Sequence, residues 1–130
     1  MLPWIRFGIF NPKKPSNILY PLGLVDSGSD ITFITHEFAE NLGFNIKMGR
    51  KVEVIGIGGG EITAYLHQIG FHIHDGSKGK PIIYQALAAF SYKDFPYSMP
   101  QQTAILGTLG FFMNVDVLLR YPKKIVINPK

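Results

Sequence analysis

The chain has 130 residues, 46% of them hydrophobic, and a formal net charge of +4 at pH 7. This length favours one domain, residues 1–130, with a hydrophobic core of its own. The absence of cysteine excludes disulfides, thiolate metal sites and a cysteine nucleophile. No apolar run approaches the roughly 20 residues of a membrane span, and the N-terminus lacks a signal-peptide layout. We therefore expect a cytoplasmic protein with no membrane partner.

The positive charge raises the question of nucleic-acid binding. The lysines, however, occur in short pairs beside prolines, at Lys13-Lys14 and Lys123-Lys124. Such pairs are typical of solvated turns and not of a continuous basic surface. We therefore expect no nucleic-acid partner.

The first third of the chain predicts strands. Short apolar stretches separated by Gly, Pro and Asn are typical of an all-β domain. The stretch Trp4–Phe10 is followed by a predicted turn at Asn11–Asn17, and a second stretch, Ile18–Val25, leads directly into the Asp-Ser-Gly-Ser sequence at Asp26–Ser29. The acidic motif therefore follows a strand.

The strand resumes at Ile31 to Ile34 and is followed by a predicted short helix at Thr35–Gly43. This segment has a capping threonine, early acidic residues and a terminal glycine. A hairpin with a glycine-rich tip, Ile55–Gly60, comes next. Beyond it the apolar residues switch from even to odd positions, which predicts a bulge or bend near His67-Gln68 and a projecting hairpin.

The rest of the chain again alternates strands and turns. The predicted segments are a turn at Asp75–Gly79, a strand at Pro81–Phe90, an irregular loop at Ser91–Gln102, apolar stretches at Ala104–Gly107 and up to Met113, and strands at Val115–Leu119 and Ile125–Ile127.

Three features of this pattern carry chemical information only in combination. An Asp-Ser-Gly turn is by itself most often an ordinary loop with a side-chain-to-backbone hydrogen bond. A glycine-rich hairpin is a plain turn or a phosphate-binding loop, but phosphate loops open a helix, whereas Glu61–Leu66 continues as a strand. Ile105-Leu106-Gly107 alone indicates only a buried strand end.

In this order and at this spacing, the three features resemble the retroviral-type, or retropepsin-like, aspartic proteases. The helix ending in Leu42-Gly43 and the tail from Val115 to Ile127 extend the resemblance over most of the chain. The resemblance implies an all-β fold, a closed β-barrel-like acid protease subunit with a flap hairpin and one or two short helices.

The resemblance also implies an aspartic endopeptidase with Asp26 as the catalytic residue. Peptide hydrolysis by carboxylates needs two of them sharing a proton, and this chain has one Asp-Ser-Gly. The second carboxylate must therefore come from a second copy across a two-fold axis, in a homodimer. One Asp26 is ionised and activates a water, while the other is protonated and polarises the scissile carbonyl. No metal, no other cofactor and no covalent intermediate are expected, and the pH optimum is expected at about pH 4 to 6.

The residues around Asp26 take their expected roles from the same resemblance. Ser27 is expected to hydrogen-bond across the dimer, and Gly28 to admit the substrate backbone. An extended peptide would lie under the flap and pair through its main chain, so that side-chain pockets set specificity. Apolar residues are expected on both sides of the scissile bond. The expected substrate contacts are Leu24, Ile57, Gly58, Gly59 and Ile105, of which Leu24 and Ile105 are equally consistent with plain core positions.

The sequence departs from the retroviral pattern after Gly107, where many family members have Arg followed by Asn or Asp. Here Thr108-Leu109 takes that place, so the family's arginine partner of Asp30 is missing. Asp30 then pairs with Arg6 or Arg120, or it faces solvent and the substrate backbone. Gly110 also weakens the helix that the family has here, by about 1 kcal/mol relative to Ala.

Other functions remain open at the level of sequence. His72 and His74 share one face of a strand, but two ligands do not make a metal site, so a structural role is favoured. A catalytically silent dimer that keeps the fold as a protein-binding module is the main alternative. A monomeric β-barrel binding domain with a coincidental Asp-Ser-Gly is the other, and it predicts no effect of aspartic protease inhibitors.

Overall fold

The computed structural model describes residues 4–55, 61–74, 79–92, 103–120 and 124–130. Its strands, β1 to β11 in chain order, are Trp4–Arg6, Gly8–Asn11, Lys14–Leu19, Leu22–Val25, Phe33–Ile34, Arg50–Ile55, Glu61–His74, Pro81–Ser91, Thr103–Leu106, Val115–Arg120 and Lys124–Pro129. The helical segments are α1, His36–Asn41, and a 3-10 helix, Ile46–Met48. The predicted all-β class with short helices is confirmed.

The strand order places the ends of β4 and β9 side by side. The main sheet follows the order β1-β4-β9-β5-β8-β7-β2-β3, with β6 beside β7, and β10 pairs with β11 separately. β9 runs parallel to β4, with Val25 opposite Leu106, and antiparallel to β5. The residues that follow these two strand ends, Asp26 and Gly107, are therefore neighbours. Closure of the sheet into a barrel stays a prediction.

The N-terminal apolar stretches form four strands where the sequence pattern predicts two. The first is interrupted at Phe7 and the second at Tyr20-Pro21. The predicted turn at Asn11–Asn17 is too long, because β3 already begins at Lys14. β3 lies at the edge of the sheet, and an edge strand accommodates Pro15, which has no N–H to donate.

The predicted bulge near His67-Gln68 is wrong. β7 pairs with β8 residue by residue without a register shift, from Ala64 opposite Ser91 to His74 opposite Pro81. The apolar residues change from even to odd positions because the two faces of β7 pack against different parts of the molecule. The predicted hairpin itself is confirmed by the pairing of β6 with β7, and its tip, residues 56–60, lies outside the described residues.

The predicted helix at Thr35–Gly43 is confirmed as α1. Thr35 occupies the N-cap position, but its hydroxyl makes no cap hydrogen bond and donates instead to the carbonyl of Thr103, at 3.2 Å. Just beyond the helix Gly43 has φ 79°, the left-handed conformation that glycine favours. The side chain of Thr35 thus attaches the start of α1 to β9.

The segment between β9 and β10 has no helix. The N–H groups of Phe112 and Met113 donate to the carbonyls of Gly107 and Thr108, five residues back, at 3.1 and 3.0 Å. Gly110 has φ 97°, outside the helical region. Turns therefore replace the helix that the family resemblance implies here. This agrees with the low helix propensity of Gly110.

Two groups of apolar residues pack on the faces of the sheet. The main core contains Phe7, Ile9, Val25, Ile34, Ala39, Leu42, Ile69, Phe71, Ile73, Ala88, Phe90, Ala104, Leu106, Phe111, Val115 and Ile127. A second cluster contains the buried residues Phe33, Ala64, Ala89 and Ile105, with Ile31, Val52, Ile62 and Leu66 packed against them. Because strand neighbours point to opposite faces, Leu106 belongs to the main core and Ile105 to the second cluster.

Candidate active site

Asp26 lies at the first position after β4, in a turn closed by its own hydrogen bonds. The N–H of Gly28 donates to Oδ1 of Asp26 at 2.9 Å, and the N–H of Ser29 donates to the Asp26 carbonyl at 3.1 Å. The N–H of Asp26 donates to the carbonyl of Leu106 at 3.0 Å, which attaches the turn to β9. The backbone therefore determines the position of this carboxylate.

The chain after β9 packs directly against the Asp26 turn. The N–H groups of Thr108 and Leu109 donate to the carbonyls of Ser29 and Asp30, both at 2.9 Å. A β-carbon at Gly107 would lie 2.6 Å from the carbonyl oxygen of Ser29 and equally close to that of Ile31. Only glycine leaves space for this approach, so the Gly107 of the apolar-apolar-Gly motif has a steric function.

Thr32 is a positioning residue that the sequence analysis missed. Its side chain is fully buried, and its Oγ1 accepts a hydrogen bond from the N–H of Gly107 at 3.0 Å and approaches the Gly107 carbonyl at 3.4 Å. The backbone of Thr32 also bonds to Leu109 and Ala89. The only sequence signal for this role is that Thr32 is a polar residue within an apolar stretch, between Ile31 and Phe33.

A tyrosine stabilises the turn that follows Gly107. The hydroxyl of Tyr84 donates to the carbonyl of Gly110 at 2.9 Å, and its ring stacks on Phe71 with centroids 5.0 Å apart. Burial raises the pKa of Tyr84, because desolvation disfavours the phenolate. Tyr84 is therefore neutral and remains a hydrogen-bond donor at ordinary pH.

The polar atoms of the turn are accessible from solvent. Asp26 is half-buried, while Ser27, Gly28 and Asp30 are exposed. No hydrogen bond of the Ser27 side chain occurs within the described part of the chain. One face of the turn is therefore open to a substrate or to a second subunit.

Asp30 has no ion-pair partner among the side chains that the structure describes. Arg6, one of the two candidates, donates from Nη1 to the carbonyl of Tyr20 at 3.0 Å. The side chain of Arg120, the other candidate, lies outside the described residues. Asp30 is exposed to solvent.

Leu24 and Ile105 lie side by side on the face of the sheet opposite the main core. They are register partners in β4 and β9, and they are 7% and 5% exposed. Ile105 packs in the second cluster together with Leu66 and Ile62, which come from the return strand of the hairpin. An apolar wall therefore extends from the strand end before Asp26 to the hairpin stem.

The predicted flap residues Ile57, Gly58 and Gly59 lie outside the described residues, and their role stays a prediction.

No group of three or more His, Asp or Glu side chains suited to a metal ion occurs in the described ranges. His72 and His74 do face each other, with ring centroids 4.8 Å apart. No helix in the described part of the chain is long and apolar enough to cross a membrane.

The arrangement combines an Asp-Ser-Gly turn at the end of one strand, a neighbouring parallel strand ending in apolar-apolar-Gly, and a hairpin whose return strand packs against Ile105. A retropepsin-like aspartic protease from Rickettsia conorii matches with a TM-score of 0.54 and 19% identity, over 95% of this chain and 88% of that one. EIAV protease matches with a TM-score of 0.49 and 19% identity, over 83% of each chain. No protein-family model and no curated protein matches the sequence. The chain therefore has the retropepsin-like fold.

Proposed function

We propose that this protein is an aspartic endopeptidase that acts as a homodimer, with Asp26 of each subunit forming the catalytic pair. One carboxylate, ionised, takes a proton from the attacking water. The other, protonated, donates a hydrogen bond to the scissile carbonyl. Neither a metal nor a covalent intermediate enters this mechanism.

One observation carries this proposal. The carboxylate of Asp26 accepts a hydrogen bond from the N–H of Gly28, and the N–H of Asp26 donates to the carbonyl of Leu106, in a turn with one face open to solvent. A reactive group on a backbone-braced turn needs no reorganisation during catalysis. One such carboxylate per chain supplies half of the required pair, which is the reason for proposing the dimer.

The substrate that fits this site is an extended peptide with apolar side chains beside the cleaved bond. The apolar wall formed by Leu24, Ile105 and the rest of the second cluster supports the proposal of apolar substrate pockets. Because this wall lies beside the Asp26 turn, we propose that it contacts substrate side chains in addition to packing in the core. The exposed Asp30 supports a contact with the main-chain N–H groups of the peptide. Ile57, Gly58 and Gly59 are proposed to cover the peptide from above.

The decisive experiment measures cleavage of a peptide library as a function of enzyme concentration. Specific activity should fall steeply below the dimer dissociation constant, because each isolated subunit has only half of the site. A pepstatin-like inhibitor should abolish cleavage and shift the sedimentation profile towards the dimer. A strict monomer with undiminished activity would exclude the shared site. A folded dimer that binds peptides but cleaves none would favour the binding-module alternative.

A further inference from the structure

Trp4, the only tryptophan of the chain, is a large aromatic side chain that the proposed mechanism does not use. It is the first residue of β1, and the next residue, Ile5, packs against the main core. Because neighbouring residues of a strand point to opposite faces of the sheet, Trp4 lies on the face opposite the main core. This is the face on which the second cluster packs.

The strand register aligns Trp4 with the apolar wall. Trp4 is paired with Leu24, and Leu24 with Ile105. Ile105 is in turn paired with Phe33. Residues that lie opposite each other in neighbouring strands have their side chains side by side on the same face. The four side chains therefore form one apolar row across β1, β4, β9 and β5.

Solvent exposure rises at one end of this row. Phe33, Ile105 and Leu24 are 6%, 5% and 7% exposed, whereas Trp4 is 39% exposed. Trp4 lies on β1, which is an edge strand of the main sheet in the described part of the chain. An isolated exposed apolar side chain is ordinary, but Trp4 continues a buried apolar row. Its indole therefore offers apolar surface where the row reaches solvent.

The row lies beside the Asp26 turn. Leu24, the partner of Trp4, comes two residues before Asp26 in the sequence. The hydrogen bond from the Asp26 N–H to the Leu106 carbonyl continues the contact between β4 and β9 as far as Asp26. With about 4.8 Å between strands and about 3.3 Å per residue along a strand, Trp4 lies roughly 8 Å from Asp26. An extended peptide covers this distance in roughly two to three residues.

We propose that Trp4 is a specificity-determining residue: its indole forms the outer wall of a subsite for a large apolar side chain of the peptide, roughly two or three residues from the cleaved bond. This inference rests on the proposed function and names a further requirement for its substrate. The occupant is the peptide because the row that ends in Trp4 includes the wall beside Asp26, and an extended peptide directs alternate side chains towards one face. An indole buries a large apolar area, which is the reason that tryptophan is enriched at binding hot spots.

The first measurement is intrinsic tryptophan fluorescence, which reports on Trp4 alone because the chain has no other tryptophan. A pepstatin-like inhibitor with large apolar side chains is added at a protein concentration at which sedimentation shows a constant fraction of dimer. The emission should shift to shorter wavelength, because the bound side chain excludes water from the indole. Unchanged emission with an inhibitor that blocks cleavage would overturn the inference. A shift that follows protein concentration and not the inhibitor would also overturn it, and would assign Trp4 to the contact between subunits.

The second measurement compares Trp4→Ala and Trp4→Phe with Ile83→Ala, the matched control. Ile83 is also an apolar strand residue and is 60% exposed. It lies near the opposite end of β8 from Ala89, the residue that pairs with Phe33. For each protein, kcat/KM is determined on peptides that differ only in having Phe or Ala at a position two or three residues from the cleaved bond.

We expect the wild type to prefer Phe over Ala at one of these positions by about ten- to a hundredfold in kcat/KM, the range for one side chain in an apolar pocket. Trp4→Phe and Ile83→Ala should keep most of this preference, and Trp4→Ala should lose about tenfold of it. No preference in the wild type, or an unchanged one in folded Trp4→Ala, would overturn the inference. If the wild type cleaves no peptide, the proposed function fails. The fluorescence response to an apolar peptide then still decides whether Trp4 binds its side chains.

Discussion

The Asp26 turn and the β6–β7 hairpin are held to the rest of the protein by different kinds of contact. The turn is bonded through backbone groups of Asp26, Ser29 and Asp30 to residues 106–109. The hairpin is attached through the regular β7–β8 ladder, which reaches Ala64 opposite Ser91, and through the side chain of His67 at its base. Backbone bonds between two turns fix the geometry around Asp26 locally, whereas the ladder extends the main sheet into the stem of the hairpin. The comparison predicts that substitutions near Gly107 act locally on the Asp26 turn, while the role of the hairpin tip as a lid stays a proposal.

The largest effect is expected from Asp26→Asn. The amide keeps the size of the side chain and retains an oxygen that accepts from Gly28, but it removes the base from both subunits of the proposed dimer at once. Turnover should fall by several orders of magnitude while the dimer and its melting temperature are preserved. The measurement is peptide hydrolysis by the purified variant, free of contaminating protease. Substantial hydrolysis would exclude Asp26 as the catalytic residue and with it the proposed aspartic protease mechanism.

Gly107→Ala tests the rigidity of the turn. The added β-carbon would collide with two backbone carbonyl oxygens, which cannot move aside as a flexible side chain can. We expect a loss of about 2 to 4 kcal/mol in the free energy of unfolding, measured by urea denaturation. Gly79→Ala, where nothing lies within 4 Å, is the control for the effect of a β-carbon in open space, although its φ of 69° adds some strain. Equal small losses in both variants would contradict the close packing at Gly107.

Thr32→Val tests the side-chain contribution to the same turn. Valine matches threonine in shape but leaves the buried N–H of Gly107 without its acceptor. The free energy of unfolding should fall by about 1 to 3 kcal/mol, the cost of one unsatisfied buried group. Thr32→Ser keeps the hydroxyl and should recover part of this loss. A Thr32→Val protein as stable as the wild type would remove Thr32 from the supports of the turn.

Gly59→Val addresses the predicted flap tip, which lies outside the described residues. Valine restricts backbone conformations that three consecutive glycines permit. Turnover should fall about tenfold, equivalent to roughly 1.4 kcal/mol, with little change in melting temperature. The opposite result, a large loss of stability with full turnover of the folded fraction, would make the hairpin structural and contradict its proposed role as a lid.

The smallest effect is expected from Tyr84→Phe, which removes the hydrogen bond to Gly110 and should cost about 1 kcal/mol near neutral pH. Because burial raises the pKa of Tyr84 above that of the unfolded chain, its contribution is fully present below about pH 10. Above that pH the unfolded chain loses the proton first, so wild-type stability falls. Urea denaturation at neutral and alkaline pH should show the difference between the two proteins shrinking as pH rises. A difference that grows with pH would contradict the neutral, buried phenol.

Much of the fold was accessible from local sequence pattern. Apolar stretches between turn residues correctly predicted the hairpin and the strand before Asp26, and the capping threonine, early acidic residues and terminal glycine correctly predicted α1. The errors occurred where a second element decides the outcome. β3 contains Pro15 because it lies at a sheet edge, and β7 continues past His67 without a bulge because its two faces bury different clusters.

The sequence by itself determined the class of fold and the residue to examine, because Asp-Ser-Gly, a glycine-rich hairpin and apolar-apolar-Gly are local signals whose order is readable. Only the tertiary structure decided what supports Asp26 and the hairpin. Thr32 and Gly107 are 75 residues apart in the chain, and His67 and its hydrogen-bond partner Ile46 are 21 apart. Such contacts depend on the strand order, which brings the two residues together, and on which backbone groups have no other hydrogen-bond partner. The sequence does not indicate which distant backbone group a threonine hydroxyl or an imidazole will bind.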